Sequence, residues 1–203
     1  ASLSAVTKKI ALALGDSDDD TGEQLASMDS LDIVPTVWDM SNRQGGIILS
    51  EQTNIALNRL RELAANDQHA WGIYLQCDEV FHQDDYQRII NDIKEADAKG
   101  FDAVKFRYFH FWQDHHQIAI NKKWYPLEVR AIKLSSPIES WGDAQGFRNF
   151  KSAFESEAAI YHYGHVREID HYARKKRDML KLYHDDSRIA KYRRRERRFD
   201  NQT

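Results

Sequence analysis

The chain has 203 residues, of which 41% are hydrophobic and 30% charged, with three prolines and one cysteine. This composition is enough for one packed domain and argues against intrinsic disorder for most of the chain. The lone Cys77 excludes an intramolecular disulfide framework and a zinc site built on several cysteines. No apolar run approaches the roughly 20 residues of a membrane-spanning helix, and the first residues lack a signal-peptide pattern. We therefore expect a cytoplasmic protein.

The charge is unevenly distributed along the chain. Residues 167–203 carry 13 Lys and Arg against 7 Asp and Glu, whereas residues 1–166 carry 16 against 25. This division predicts an acidic α/β domain over 1–166 and a basic helical tail over 167–203. The most basic stretch, Lys191–Arg198, is either a solvated helix end or a contact with an anionic membrane surface. Because few aromatic residues interleave with it, base stacking on nucleic acid is disfavoured.

Strand and helix patterns alternate along the first part of the chain. In chain order, we predict a strand at 10–14, a short helix at 21–28, a strand at 32–38, a helix capped by Ser50 and a strand at 71–75. Such alternation is typical of parallel strands joined by crossover helices.

The second part of the chain adds more strands. We predict a helix that begins after Asp84 or Asp85 and stops at Gly100, strands at 101–112 and 124–134, and a helix from Glu168. The two strands are close in sequence, so we expect them to be antiparallel. The predicted helix has an apolar stripe made of Tyr86, Ile89, Ile90 and Ile93. Alternation predicts that one face of the first strand carries Val104, Phe106 and Tyr108, and that one face of the second carries Tyr125, Leu127, Val129 and Ala131. The whole pattern predicts an α/β fold with a mixed sheet flanked by helices.

Polar loops follow the predicted strands. In an open α/β sheet, ligands bind beyond the carboxyl ends of the strands. The relevant loops here cover 15–22, 39–46 and 76–85, and all three are rich in carboxylates, amides or glycine.

The third of these loops carries the clearest chemistry. An apolar strand ends abruptly in Gln76, Cys77, Asp78 and Glu79. Two adjacent acids can hold a hard divalent cation, Mg²⁺ or Mn²⁺, which bridges to phosphate oxygens and neutralises a departing diphosphate. The alternative is a turn whose acids only cap the next helix.

This region resembles a known family. The segment WGIYLQCDEV at 71–80 resembles the metal-binding strand end of GT-A glycosyltransferases, the large "family 2" class that uses nucleotide sugars. ALGDSDDDT at 13–21 resembles the loop after that family's second strand, SEQTNIAL at 50–57 the helix before the metal strand, and IYHYG at 160–164 a late segment with histidine. The resemblance implies a GT-A fold and an inverting sugar transfer from a nucleotide-diphosphate donor to an acceptor hydroxyl.

The resemblance also implies roles for individual residues. The family's metal motif is Asp-x-Asp, in which Gln76 replaces the first acid and Asp78 keeps the second. Gln76 could instead hydrogen-bond ribose or phosphate, and Glu79 is either a metal ligand or a support for one. Where members often have an aspartate that contacts the base, this chain has Gly15, and Asp16 and Asp19 are the nearest substitutes. Members normally have a further strand and helix before this loop, so the resemblance predicts that the first strand is missing.

Three more residues are candidates for the same site. Asp143 follows the metal strand in a loop with glycine and tryptophan, and is either the general base or a turn cap. His162 could complete the metal's coordination, contact the diphosphate or be purely structural. Arg130 could pair with the diphosphate or with carboxylates of the body.

We therefore expect a glycosyltransferase that uses Mg²⁺ or Mn²⁺, a nucleotide-sugar donor and an unknown sugar or lipid-linked acceptor. The basic tail would hold it near an anionic membrane. One alternative is a non-catalytic nucleotide or nucleic-acid binding protein with a degenerate α/β domain. The other is a metal-dependent hydrolase that uses Asp143 and histidines.

Overall fold

The computed structural model describes residues 2–28, 31–65, 67–166 and 169–191, with the side chains of 169–174 and 176 left out. All of the basic stretch Lys191–Arg198 except Lys191 therefore lies outside the described residues. None of the described helices is both long and apolar enough to span a membrane.

Nine strands and four α-helices follow one another along the described chain. The strands are β1 Ile10–Leu14, β2 Leu31–Pro35, β3 Trp71–Ile73, β4 Glu79–Phe81, β5 Ala103–Trp112, β6 Leu127–Lys133, β7 Glu139–Trp141, β8 Gly146–Arg148 and β9 Ala153–His165. The helices are α1 Thr21–Ala26, α2 Ile47–Ala64, α3 Tyr86–Ala98 and α4 Ile169–Tyr183. Short 3₁₀ turns at Leu3–Ala5, Met40–Asn42, Gln44–Gly46 and Gln83–Asp85 connect them.

The strands form three sheets. The parallel pair β1–β2 stands apart from a five-stranded sheet in the order β3-β6-β5-β9-β4, and β7–β8 form a small hairpin. In the large sheet, β5 pairs antiparallel with β6 and parallel with β9. The molecule is thus a mixed α/β protein, as predicted. The parallel β1–β2 pair and the antiparallel β5–β6 pair confirm two pairings of the sequence analysis.

Two apolar clusters lie on the large sheet. One contains Phe81, Ile89, Phe106 and Ile160 and is covered by α3. The other contains Leu57 of α2 together with residues of β6 and the β7–β8 hairpin. The strand alternation predicted for β5 is confirmed, because its even-numbered residues from 104 to 110 are all buried.

One of two predicted helix ends lies at the predicted residue, and the other does not. After α3, Gly100 adopts a left-handed conformation with a φ of 80°, and its N–H bonds to the carbonyl of Asp97. The N–H of Phe101 bonds to the carbonyl of Ala96, which completes a Schellman stop at the predicted glycine. In contrast, α2 begins three residues before the predicted cap, so Ser50 is internal and its hydroxyl donates to the carbonyl of Ile47.

One strand breaks the alternation that its sequence predicts. Val104 and Lys105 are neighbours on β5, but their partners on β6 are Ala131 and Val129. Arg130 is therefore the extra residue of a β-bulge. As a consequence, Val129 and Ala131 pack in different apolar clusters, and the prediction that they share one face is wrong.

Candidate functional site

A cavity of about 680 Å³ opens between the two main sheets. Its walls include β1 on one side and residues 72–75 of β3 and its extension on the other, with α2 and α4 completing them. Both β1 and β3 lie at the edges of their described sheets, so the cavity separates two strand edges. Its side chains include Trp38, Gln76, Asp78, His162, Lys175 and Tyr183.

The turn Gln76–Glu79 follows β3 and brings the acidic pair to the cavity wall. The N–H of Glu79 donates to the carbonyl of Gln76 at 3.0 Å, which closes the turn and starts β4. Asp78, at the turn's tip, keeps 30% of its side chain exposed and lines the cavity. Gln76 lines the cavity too, whereas Glu79 points into the protein and is buried.

Glu79 is the buried partner of Arg130. The side chains of both are 0% exposed, and the guanidinium donates to the two carboxylate oxygens at 3.0 and 3.2 Å. The carboxylate also accepts bonds from the Tyr108 hydroxyl and the Gln76 N–H. Of the two roles that the sequence left open for Arg130, pairing with a carboxylate is the one found here. Arg130 does not line the cavity, and Glu79 serves as a structural anchor of the turn.

A chain of hydrogen bonds fixes the protonation of the histidines behind Asp78. The Nε2 of His110 lies 2.9 Å from the carbonyl oxygen of Tyr125, which can only accept, so this nitrogen carries the proton. Burial lowers the pKa of both His110 and His162, so both rings are neutral at pH 7. The bare Nδ1 of His110 then accepts from the Nδ1–H of His162 at 3.0 Å.

This chain leaves the Nε2 of His162 with a lone pair directed at the site. That nitrogen lies 3.7 Å from an oxygen of Asp78. Gly164 makes the close approach possible, since a Cβ there would lie 2.6 Å both from Asp78 Oδ2 and from His162 Nε2. The late segment with histidine therefore meets the turn after β3.

A lysine from the last described helix reaches the same carboxylate. The Nζ of Lys175 lies 3.2 Å from Asp78 Oδ2 and 3.0 Å from the carbonyl oxygen of Gly164. On α4, Lys175, Met179 and Tyr183 are four residues apart, so they lie on one face, and all three line the cavity. The described start of the basic tail thus forms one wall of the site.

The remaining predicted residues lie at or beyond the rim. Asp143, in the turn between β7 and β8, accepts a hydrogen bond from the Tyr183 hydroxyl at 3.2 Å. It borders the cavity through Tyr183 and the neighbouring Ala144. Asp16 and Asp19 are exposed after β1 and do not line the cavity. Bonds from Thr21 and Ser17 lower the pKa of Asp19 to about 2.

The donor set around Asp78 does not match a divalent cation held by the protein. Mg²⁺ and Mn²⁺ prefer several oxygen ligands. Asp78 supplies the one carboxylate that faces the cavity from the turn, and an ammonium already contacts it. Glu79 is engaged by Arg130. In the described part of the chain, no three His, Cys, Asp or Glu side chains are grouped so that they could hold a metal.

Several site residues were missed by the sequence reasoning. Lys175 and Tyr183 lie in a segment that was interpreted only as a basic helical tail. The four-residue spacing of Lys175, Met179 and Tyr183 does indicate that they share one helical face. His110 lies on a buried face of β5, and its bond to His162 links residues 52 positions apart. Trp38 packs against Gly15, where a Cβ would lie 2.5 Å from the indole nitrogen. No local sequence pattern predicts the His110–His162 bond or the contact between Trp38 and Gly15.

No family model matches the chain, and the comparison with curated proteins finds no match.

Proposed function

We propose that this protein is a glycosyltransferase that moves a sugar from a nucleotide-diphosphate donor to an acceptor hydroxyl. One observation carries the proposal: Asp78 and Gln76 lie at the carboxyl end of β3, on the wall of a cavity of about 680 Å³. This volume is within the range of about 300–1,000 Å³ usual for small-molecule sites. A GT-A arrangement is part of the proposal, and the mixed sheet with the acidic turn after β3 supports it.

The proposed roles follow from the geometry. The Gln76 amide offers donors and an acceptor for ribose or phosphate, and Trp38 provides an apolar surface in the same cavity. Asp78 pairs with the ammonium of Lys175, which is the positive charge that faces the diphosphate. The general base is Asp143, whose carboxylate the Tyr183 hydroxyl orients at the cavity rim. As the acceptor oxygen attacks the anomeric carbon, this carboxylate would take its proton while the nucleoside diphosphate leaves.

A thermal-shift panel tests the binding step. The protein is heated with UDP, GDP, ADP, CDP and their sugar conjugates, each in EDTA and in Mn²⁺. A ligand that binds only the folded state raises the midpoint, so at least one conjugate should do so. Asp78→Ala should abolish the shift, whereas Asp84→Ala, on a side chain that is 80% exposed, should retain it.

The outcomes separate the proposal from its alternative. Release of nucleoside diphosphate from the bound conjugate, measured with and without a sugar acceptor, tests transfer itself. If no nucleotide shifts the midpoint and an oligonucleotide does, with a steep salt dependence that ignores Asp78→Ala, the protein is a nucleic-acid binder and the proposal fails.

The acceptor side of the proposal rests on the sequence alone. The stretch Lys191–Arg198, in which six of the eight residues are Arg or Lys, favours an anionic membrane that carries a lipid-linked acceptor. Binding to vesicles with anionic lipid should be lost when this stretch is deleted. Binding that survives the deletion and is insensitive to salt would rule out the membrane contact.

A further inference from the structure

Lys175 brings a fixed positive charge to the turn after β3. Its ammonium lies 3.2 Å from Asp78 Oδ2 and 3.0 Å from the carbonyl oxygen of Gly164. The side chain is 29% exposed and lines the cavity next to His162. The contact joins residues 97 positions apart and ties α4 to the large sheet.

The hydrogen-bonding capacity of this ammonium is not exhausted by these contacts. A lysine ammonium has three N–H donors. Among the described residues, the structure gives it two acceptors, the Asp78 carboxylate and the Gly164 carbonyl. The third donor is available to an oxygen in the cavity, and a phosphate oxygen forms a strong, charge-assisted hydrogen bond with such a donor.

The charges at this point disfavour a divalent cation. The negative charge of Asp78 is already paired with the ammonium of Lys175. A divalent cation bound to Asp78 would have to share one carboxylate with the ammonium, and two positive charges at that distance repel each other. The place expected for the metal is therefore taken by a side chain of the protein.

We propose that Lys175 provides the positive charge that binds the donor's diphosphate beside Asp78, so that nucleotide binding needs no divalent cation. This inference rests on the proposed function, because it concerns the same donor. Asp78 then acts as the residue that positions the ammonium, and Gly164 leaves room for both. The four-residue spacing to Met179 and Tyr183 holds Lys175 on the cavity face of α4.

Titration calorimetry with UDP, GDP, ADP and CDP, in EDTA and in Mn²⁺, tests the inference. For the nucleotide that binds, the wild-type affinity in EDTA should be within about threefold of that in Mn²⁺. Lys175→Met should lower the affinity in EDTA at least about tenfold, since it removes a charge-assisted hydrogen bond. Lys175→Arg keeps the charge and should retain most of the affinity.

A matched control comes from the same helix. Lys181 is 47% exposed, pairs with Asp178 and does not line the cavity, so Lys181→Met should bind like the wild type. If the wild type binds only in Mn²⁺, or if Lys175→Met binds as tightly as the wild type in EDTA, this inference is wrong although the proposed function stands. If none of the four nucleotides binds in either buffer, the proposed function fails and this inference with it.

Discussion

Neutralising Glu79 should destabilise the fold more than any surface change of the same kind. In Glu79→Gln, the guanidinium of Arg130 stays buried without its counter-ion, since both side chains are 0% exposed. Breaking a buried ion pair by removing one partner costs about 3–5 kcal/mol. The substitution retains the size of the side chain, so the loss is not one of packing.

Urea unfolding followed by tryptophan fluorescence measures this cost, because the chain has five tryptophans. At an m-value of about 2 kcal/mol/M, a loss of about 4 kcal/mol lowers the urea midpoint by about 2 M. The matched control is Glu139→Gln, whose partner Arg148 is 56% exposed while Glu139 itself is 40% exposed. Exposed pairs contribute at most about 1 kcal/mol, so this midpoint should hardly move.

The result that refutes the reasoning is a similar midpoint for the two variants. It would mean that Arg130 finds another acceptor or water when Glu79 is neutral. Its present bonds to the carbonyls of Val129 and Gln145 would then suffice to hold the guanidinium in the core.

Three further predictions concern the cluster behind the cavity. Burial lowers the pKa of His165 from 6.5 to about 4. Between these two pH values the unfolded chain binds a proton that the folded protein does not, so the free energy of unfolding should fall as the pH drops from about 6.5 towards 4. His165→Gln should make this fall smaller in urea titrations. Gly164→Ala places a methyl 2.6 Å from Asp78 Oδ2 and from His162 Nε2, and should weaken nucleotide binding at least about tenfold by calorimetry. Nitrogen NMR at pH 7 should find the proton of His110 on Nε2 and that of His162 on Nδ1.

Each of these predictions has an outcome that contradicts it. An unchanged pH slope in His165→Gln would show that this ring is not the source of the acid sensitivity. Gly22→Ala is the control for Gly164→Ala, because nothing lies within 4 Å of a Cβ at Gly22. Equal affinities for the two variants would mean that Asp78 can move without loss. A proton on Nε2 of His162 would reverse the inferred hydrogen-bond direction.

The sequence predicted the elements that depend on local patterns. The apolar run of β1, the stripe of α3 and the stop at Gly100 are all encoded within a few residues, and the structure confirms them. The long strand β9 escaped prediction although its even-numbered residues from 156 to 164 are buried. The polar Ser156 and His162 interrupt the apolar positions of that alternation.

The arrangement of the site depended on contacts that sequence patterns do not encode. Arg130, a candidate diphosphate ligand, is the extra residue of a bulge in β6 and pairs with Glu79. No residue type in the sequence signals this extra residue. Asp78 and Gln76 did reach the cavity, because a strand end fixes where its loop lies. The roles of these two residues, of Asp143 and of His162 in catalysis stay predictions.

The distance along the chain between Asp78 and Lys175 has a consequence for biosynthesis. A ribosome-bound chain that has emerged only as far as β9 already has the carboxylate, the histidine pair and both strand edges. It lacks the helix that closes the cavity, since α4 is made after every strand of the large sheet. A nascent chain should therefore gain affinity for a ligand of the cavity only after α4 has followed β9 out of the ribosome.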